Sequence, residues 1–199
     1  MPKRKLTRRG SKRRAQLLEA ATRLFGEQGY TRTTVGDICD TLGVGKGVFY
    51  WYFRSKEALF SELLQGALLE LRRAQHTAID KVEDPVARIE DGIRASISFF
   101  RHNPGILEVM RTAARYEQFA TLVENGQQIV VADTATHVKE AMGRGSIRDG
   151  DAEFMAHGII GAIFHFVETY FATGAEAMND RPQLEDEAVD FCLRGLLVR

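Results

Sequence analysis

Residues 33–59 read TTVGDICDTLGVGKGVFYWYFRSKEAL. Thr34 stands three residues before Asp37 and ahead of Ile38, the spacing at which a hydroxyl and a carboxylate cap the first turn of a short helix. Thr41, Leu42, Gly43 and Val44 interrupt that helix, another begins near Gly45 and runs to about Tyr52, and Ser55 caps a further one at Lys56. Two short helices joined by a tight glycine-containing turn have the proportions of a helix-turn-helix, whose second helix is built for a DNA major groove. Ile38, Leu42, Val44 and Phe49 supply the contacts that hold the pair at a fixed angle. The exposed face of the second helix then carries Lys46, Gly47, Val48, Tyr50, Trp51 and Tyr52.

Upstream, Leu17, Leu18, Ala21, Leu24 and Phe25 recur at the helical period, so a first helix is expected over 15–28, stopped by Gly29. Residues 1–14 carry eight Lys or Arg and no acid, which reads either as a disordered arm that orders on phosphate or as a solvated tail. Downstream, Leu59, Phe60, Leu63, Leu64, Ala67, Leu68 and Leu71 line one broad face of a long fourth helix. Asp84-Pro85 and Asn103-Pro104 each open a helix with a cap and a proline at the first helical position. Further helices are expected over 116–142, 152–172 and 184–198, and no segment shows sustained period-two alternation. The expectation is an all-α chain of about nine helices: a basic arm over 1–14, a three-helix DNA-binding domain over 15–62 and a helical effector-binding and dimerisation domain over 63–199.

With 199 residues, 44% hydrophobic and 27% charged, the chain has an ordinary globular balance and needs no disulfide or metal to hold a core. Its 27 basic and 27 acidic residues cancel, but they are segregated. Residues 1–60 hold 13 Lys or Arg against 5 Asp or Glu, and the remainder holds 14 against 22. The basic third suits a polyanion, because Lys and Arg release counterions condensed on a phosphate backbone. Cys39 and Cys192 lie far apart with no CxxC or Cys/His spacing, so neither redox chemistry nor a zinc site is signalled. The most apolar stretch, 155–167, is shorter than a bilayer span and contains His157 and His165, which places the protein in the cytoplasm and off the membrane.

The ordered set Thr33 to Ile38, Leu42 to Phe53 and Ser55 to Leu59, with the upstream helix ending at Gly29-Tyr30, resembles the signature of TetR-type transcriptional regulators. The resemblance covers roughly residues 12–62; beyond it only length and helix pattern agree. It implies DNA contacts by Thr34, Lys46, Gly47, Tyr50, Trp51, Tyr52 and Lys56. Thr34 and Lys56, each at a helix start, would meet phosphates, and Lys46, Gly47 and the aromatic run would approach the bases or the backbone. Tyr52 is also open to a core role, and Phe49 and Phe53 are expected in the core. Gly45 stands where the family often has Ser, keeping the cap but losing a side-chain donor to phosphate. Cys39, where a small apolar residue is usual, reads as a buried thiol.

The resemblance further implies a C-terminal domain that dimerises through its last two helices and encloses an effector pocket among helices four to eight. The expected helix over 152–172 is apolar nearly all round, which calls for burial against a symmetry mate or within its own domain. Candidate pocket residues are Phe99, Phe100, Met110, Tyr116, Phe119, His137, Phe164, His165 and Tyr170, with packed core the competing reading for each. His157 and His165 are two helical turns apart, too far to share a metal ion, and no metal or cofactor is expected. Arg111 and Arg115 either neutralise an anionic ligand or pair with Glu108 and Glu117. No catalytic triad, metal triad, Walker loop or dinucleotide fingerprint is present. The sequence therefore points to a homodimeric repressor that binds a roughly palindromic operator and leaves when a small molecule binds. A DNA-bound architectural or partner-recruiting protein without an effector is the alternative.

Overall fold

The computed structural model describes residues 7–171 and 183–197. Among these the chain forms nine helices: α1 (Arg8–Gln28), α2 (Val35–Thr41), α3 (Lys46–Tyr52), α4 (Lys56–Ile79), α5 (Pro85–His102), α6 (Pro104–Arg115), α7 (Glu117–Gly143), α8 (Ala152–Phe171) and α9 (Leu184–Arg194). The all-α expectation holds. The one β feature among the described residues is an antiparallel bridge between Ile147 and Leu197, which ties the α7–α8 loop to the end of α9.

Local chemistry sets most of the boundaries. Asp84 accepts from the Ala87 amide at 2.9 Å with Pro85 behind it, and Ser55 accepts from Ala58 at 3.1 Å. Gly29 ends α1 with φ 84° and ψ 157°, a combination nearly closed to residues with a Cβ.

The start of α1 corrects the expected arm. Thr7 caps the helix, accepting from Gly10 N at 3.2 Å, so residues 8–14 continue the helix instead of forming a disordered tail. Arg14 explains why the extra turns persist: its guanidinium pairs with Glu62 of α4 and lies 4.9 Å from the centre of the Phe53 ring. The first six residues of the arm lie outside the described residues. At the other end, α9 stops at Arg194.

Two large apolar cores are built. The N-terminal one gathers Leu17, Phe25, Ile38, Phe49, Phe53 and Phe60, and it also takes in Val109 and Ala113 of α6 and Phe119 of α7. The DNA-binding unit is thus packed into the second half of the chain and does not close its core at residue 62. Tyr30 is the hinge pin of this junction, stacking edge-on against Phe60 at 4.7 Å and Tyr116 at 5.4 Å. Thr31 and Tyr116 share a hydrogen bond of 2.6 Å beside it. The second core joins Leu71, Ile93, Ile97 and Phe100 to Val138, Met155, Val167 and Leu193.

α8, Ala152–Phe171, matches the helix expected over 152–172, and it is long and apolar enough to cross a bilayer by length and composition only, a test that buried core helices also meet. It packs one face, through Met155, Ile159, Ile163 and Val167, into this core, while Ala156 joins Val131 and Ala135 of α7 in a small third cluster. Its opposite side and that of α9 leave Phe154 at 75% and Phe191 at 65% exposure, with Phe166 packed edge-on to Phe191 at 5.5 Å.

Candidate nucleic-acid interface

α2, the turn and α3 are fixed from below by fully buried Ile38 and Phe49, with Phe53 closing the end of α3. The turn reverses on Gly43, whose φ of 61° lies in the left-handed region, and the Val44 amide donates back to the Cys39 carbonyl at 3.0 Å. The thiol of Cys39 is buried here, and burial, aided by Asp40, pushes its pKa up, in keeping with a packing role. Gly45 caps α3 without a side-chain bond.

On the outer side of α3, Lys46 and Gly47 are exposed, and Tyr50 and Trp51 each keep 56% of their surface in solvent. Large aromatics so exposed, on a helix whose other face is sealed in the core, leave much of their apolar surface free for a partner. Tyr52 is half-buried and packs edge-on against Trp51 at 4.4 Å, between its two expected roles. The arrangement offers a cation, a backbone free of a Cβ and two amphipathic rings on one turn and a half of helix, dimensions that fit a major groove.

At the two expected phosphate contacts, the polar groups already have partners within the protein. The Thr34 hydroxyl is engaged within α2: it accepts from Asp37 N at 3.2 Å and donates to the Asp37 carboxylate at 2.9 Å, while the Thr34 amide donates to the same oxygen at 2.7 Å. These bonds hold the Asp37 carboxyl below its usual range. Lys56 turns inward. Its Nζ donates to the carbonyls of Tyr30 at 2.8 Å and Thr33 at 2.9 Å and sits 4.2 Å from the centre of the Tyr30 ring. It fastens the α1–α2 loop to α4. Tyr30 completes the tie by donating to Glu57 at 3.3 Å.

Cations that sequence reading left in a tail are instead displayed on an ordered helix. Arg8, Arg9 and Lys12 lie exposed on the first turns of α1, and Arg54 is exposed just beyond α3. Thr7, a capping residue type whose hydroxyl accepts from Gly10 N, was the one local signal for this extension.

The expected pocket set does not come together. Phe119 and Tyr116 belong to the N-terminal core around Tyr30, Phe100 is sealed in the second core, and Met110 is packed between the two. Phe99 packs on Phe100 at 5.5 Å, Tyr170 packs against the second core, Phe164 is half-buried and His165 is exposed. The physical reason is periodicity: an aromatic at core spacing is used as core. Arg111 donates to Glu108 at 3.0 Å, the ion-pair reading.

Of the nine, His137 alone lines the partly open cavity of about 340 Å³ between α4, α5, α7 and α8. Ile93 and Ile163 form part of its apolar wall, while Gln75, His76, Asp133 and His137 supply polar groups. Gln75 and Asp133 were missed, although a lone polar residue on an apolar helix face was the clue. A wider space of about 1490 Å³ opens between α1, α4 and the start of α6, bordered by the Arg14–Glu62 pair and by Tyr50 to Tyr52. Both spaces are partly open to solvent. Among the described residues no group of three or more His, Cys, Asp or Glu could hold a metal ion.

The family model for bacterial regulatory proteins of the tetR family matches residues 17–63, which span α1 to the first turns of α4. The HTH-type transcriptional repressor KstR2 of Mycobacterium tuberculosis is 37% identical over 91 residues, 46% of each chain. The chain thus spans about half the length of that curated relative. An HTH-type transcriptional regulator of Bacillus subtilis, YhgD, is 22% identical over 94% of this chain and 95% of its own. The solved structure described as the ketosteroid transcriptional regulator KstR2 of M. tuberculosis superposes with a TM-score of 0.75 at 25% identity, covering 94% of this chain and 96% of that one.

Proposed function

We propose that the chain, whose residues 17–63 match the tetR family of bacterial regulatory proteins, is a homodimeric transcriptional repressor of that family, active in the cytoplasm and released from a palindromic operator by a small molecule. The observation that carries the reading is the outer face of α3, where Lys46, Gly47, Tyr50 and Trp51 stand exposed on a helix anchored by buried Phe49 and Phe53. Exposed Phe154 and Phe191 on α8 and α9 support pairing of two chains through these helices. Two copies of α3 about 34 Å apart would enter successive major grooves.

Release needs a link from effector to α3, and α4 supplies it. Its first turn is tied to the α1–α2 loop through Lys56, and further along it contributes Gln75, His76 and Ile79 to the 340 Å³ cavity. A molecule that favours one setting of α4 over another alters the separation of the two α3 helices and so the operator affinity. The N-terminal cations Arg8, Arg9 and Lys12 add sequence-independent phosphate attraction.

The test is an anisotropy titration with a fragment selected from the source genome, at about 0.15 M salt. Two chains per site, with a plateau that competitor DNA of scrambled sequence does not erode, is the expected result. One chain per site, or equal binding to scrambled DNA, would contradict the reading.

A further inference from the structure

We infer that Arg14 and Glu62 are positioning residues for DNA binding: their contact holds the first turns of α1 as a rigid helix and so presents Arg8, Arg9 and Lys12 as an ordered element beside α3. The inference rests on the reading of α3 as the helix that enters the major groove.

By its own chemistry the segment Arg8-Arg9-Gly10-Ser11-Lys12-Arg13-Arg14 is a poor helix. Gly10 and Ser11 rank low in helix propensity, and the like charges of Arg8 with Lys12 and of Arg9 with Arg13 repel at the i,i+4 spacing. No acidic residue stands in the first turn, and the first buried side chain of the helix is Leu17. Thr7 caps the segment, yet a cap satisfies a terminal amide and does not fix where the helix points.

Arg14 supplies the missing attachment. Its guanidinium pairs with Glu62 in the second turn of α4 and lies 4.9 Å from the centre of the Phe53 ring, which closes α3. Among the described residues, no other side chain from residues 8–16 makes an ion pair or a ring contact with another helix. Arg14 and Glu62 are half-buried and Phe53 is buried. A guanidinium stacked on a ring while bonded to a carboxylate is held in two directions at once, which a solvated ion pair does not achieve.

Helical geometry separates the anchor from what it presents. At about 100° per residue, Arg8, Arg9 and Lys12 share an arc of roughly 100°, and Arg14 lies on the opposite side of the helix. One side chain therefore docks α1 while the three cations stay exposed. Arg8 precedes Arg14 by about 9 Å along the axis, less than the roughly 12 Å width of a major groove. The cations are thereby kept within one groove width of the level at which Arg14 meets the end of α3, close to the phosphates that would flank an occupied groove. A frayed segment would carry the same charge but lose backbone freedom on every binding event, and a docked one does not.

Arg14→Met and Glu62→Gln test the inference, because they shift the net charge in opposite directions but break the same contact. Binding of the full chain to a duplex of about 20 base pairs and arbitrary sequence is followed by anisotropy at about 0.1 M salt. Exchange of the Ser11 amide, which donates to the Thr7 carbonyl at 2.9 Å, is measured alongside. Both variants are expected to weaken binding about fivefold and to speed Ser11 exchange, with the Tm nearly unchanged. In a chain carrying Arg8→Gln, Arg9→Gln and Lys12→Gln, where nothing is left to position, neither substitution should weaken binding further. Unchanged or tighter binding by Glu62→Gln would overturn the inference, since charge alone would then be in control. So would an equal loss for Arg14→Met in both backgrounds, which would make Arg14 a phosphate contact itself. Should Arg14→Met not fold, the Glu62→Gln result decides alone. A native chain that binds no duplex even at low salt would remove the reading of α3 as a DNA helix and the inference with it; binding unaffected by either substitution removes only the positioning role.

Discussion

Lys56 donates to two carbonyls of the α1–α2 loop and lies over the Tyr30 ring, so its ammonium is a structural group. Lys56→Met should therefore lower stability by about 1–3 kcal/mol in urea unfolding, the range for bonds to a charged donor. An unchanged midpoint would return Lys56 to the DNA face. Lys46 and Tyr50 have the opposite character: Lys46→Ala and Tyr50→Ala should each weaken specific binding by about 1–3 kcal/mol while helix content and Tm stay put. Unfolding of either variant would show that the side chain serves the fold.

His137 carries a pH signature. Burial lowers its folded pKa below the unfolded value, so as pH falls through the ordinary histidine range the unfolded chain takes up the proton first and stability drops. His137→Leu should remove that component, giving a shallower loss between about pH 7 and pH 5. An identical slope in both proteins would mean that Arg88, His76, Glu140 and Asp133 leave the imidazole unperturbed. These residue roles differ in how far the sequence reveals them. Lys46, Phe49 and Tyr50 are assigned by spacing along one short helix. Lys56 and His137 depend on which side chains meet them from distant parts of the chain, and no local pattern encodes that.

At the scale of elements, capping and periodicity carry most of the information. Asp84-Pro85, Ser55 and Gly29 mark helix ends because each satisfies or terminates a backbone ladder within a few residues. Gly29→Ala should cost about 1–3 kcal/mol, since φ 84° with ψ 157° places a Cβ in a nearly forbidden region. A neutral effect in thermal unfolding would mean that the α1 terminus relaxes freely. The early start of α1 was hidden because a run of Arg and Lys has no apolar period. It is held by a tertiary pair, Arg14 with Glu62. The apolar pocket residues failed for a related reason: Phe100 and Phe119 obey the core period, and the core claims them.

At the scale of the molecule, the division at residue 62 is a boundary of sequence likeness more than of packing. Val109, Ala113 and Phe119 complete the N-terminal core, so α6 and the start of α7 are packed into the DNA-binding unit. Pairing of two chains through α8 and α9 would cover Phe154 and Phe191. Phe191→Glu should then shift sedimentation from dimer to monomer and lower operator affinity by more than tenfold, because each α3 would bind alone. A monomeric variant with full affinity would remove the dimer from the account.

The central claim is that paired α3 helices read a two-fold symmetric site. Footprinting of the genomic fragment most enriched by the purified protein at physiological salt tests it most directly. The account predicts a short protected palindrome whose half-sites lie about one DNA turn apart, lost in Lys46→Ala. Diffuse, salt-sensitive binding without a footprint would contradict it and favour a protein that coats DNA or recruits a partner to it.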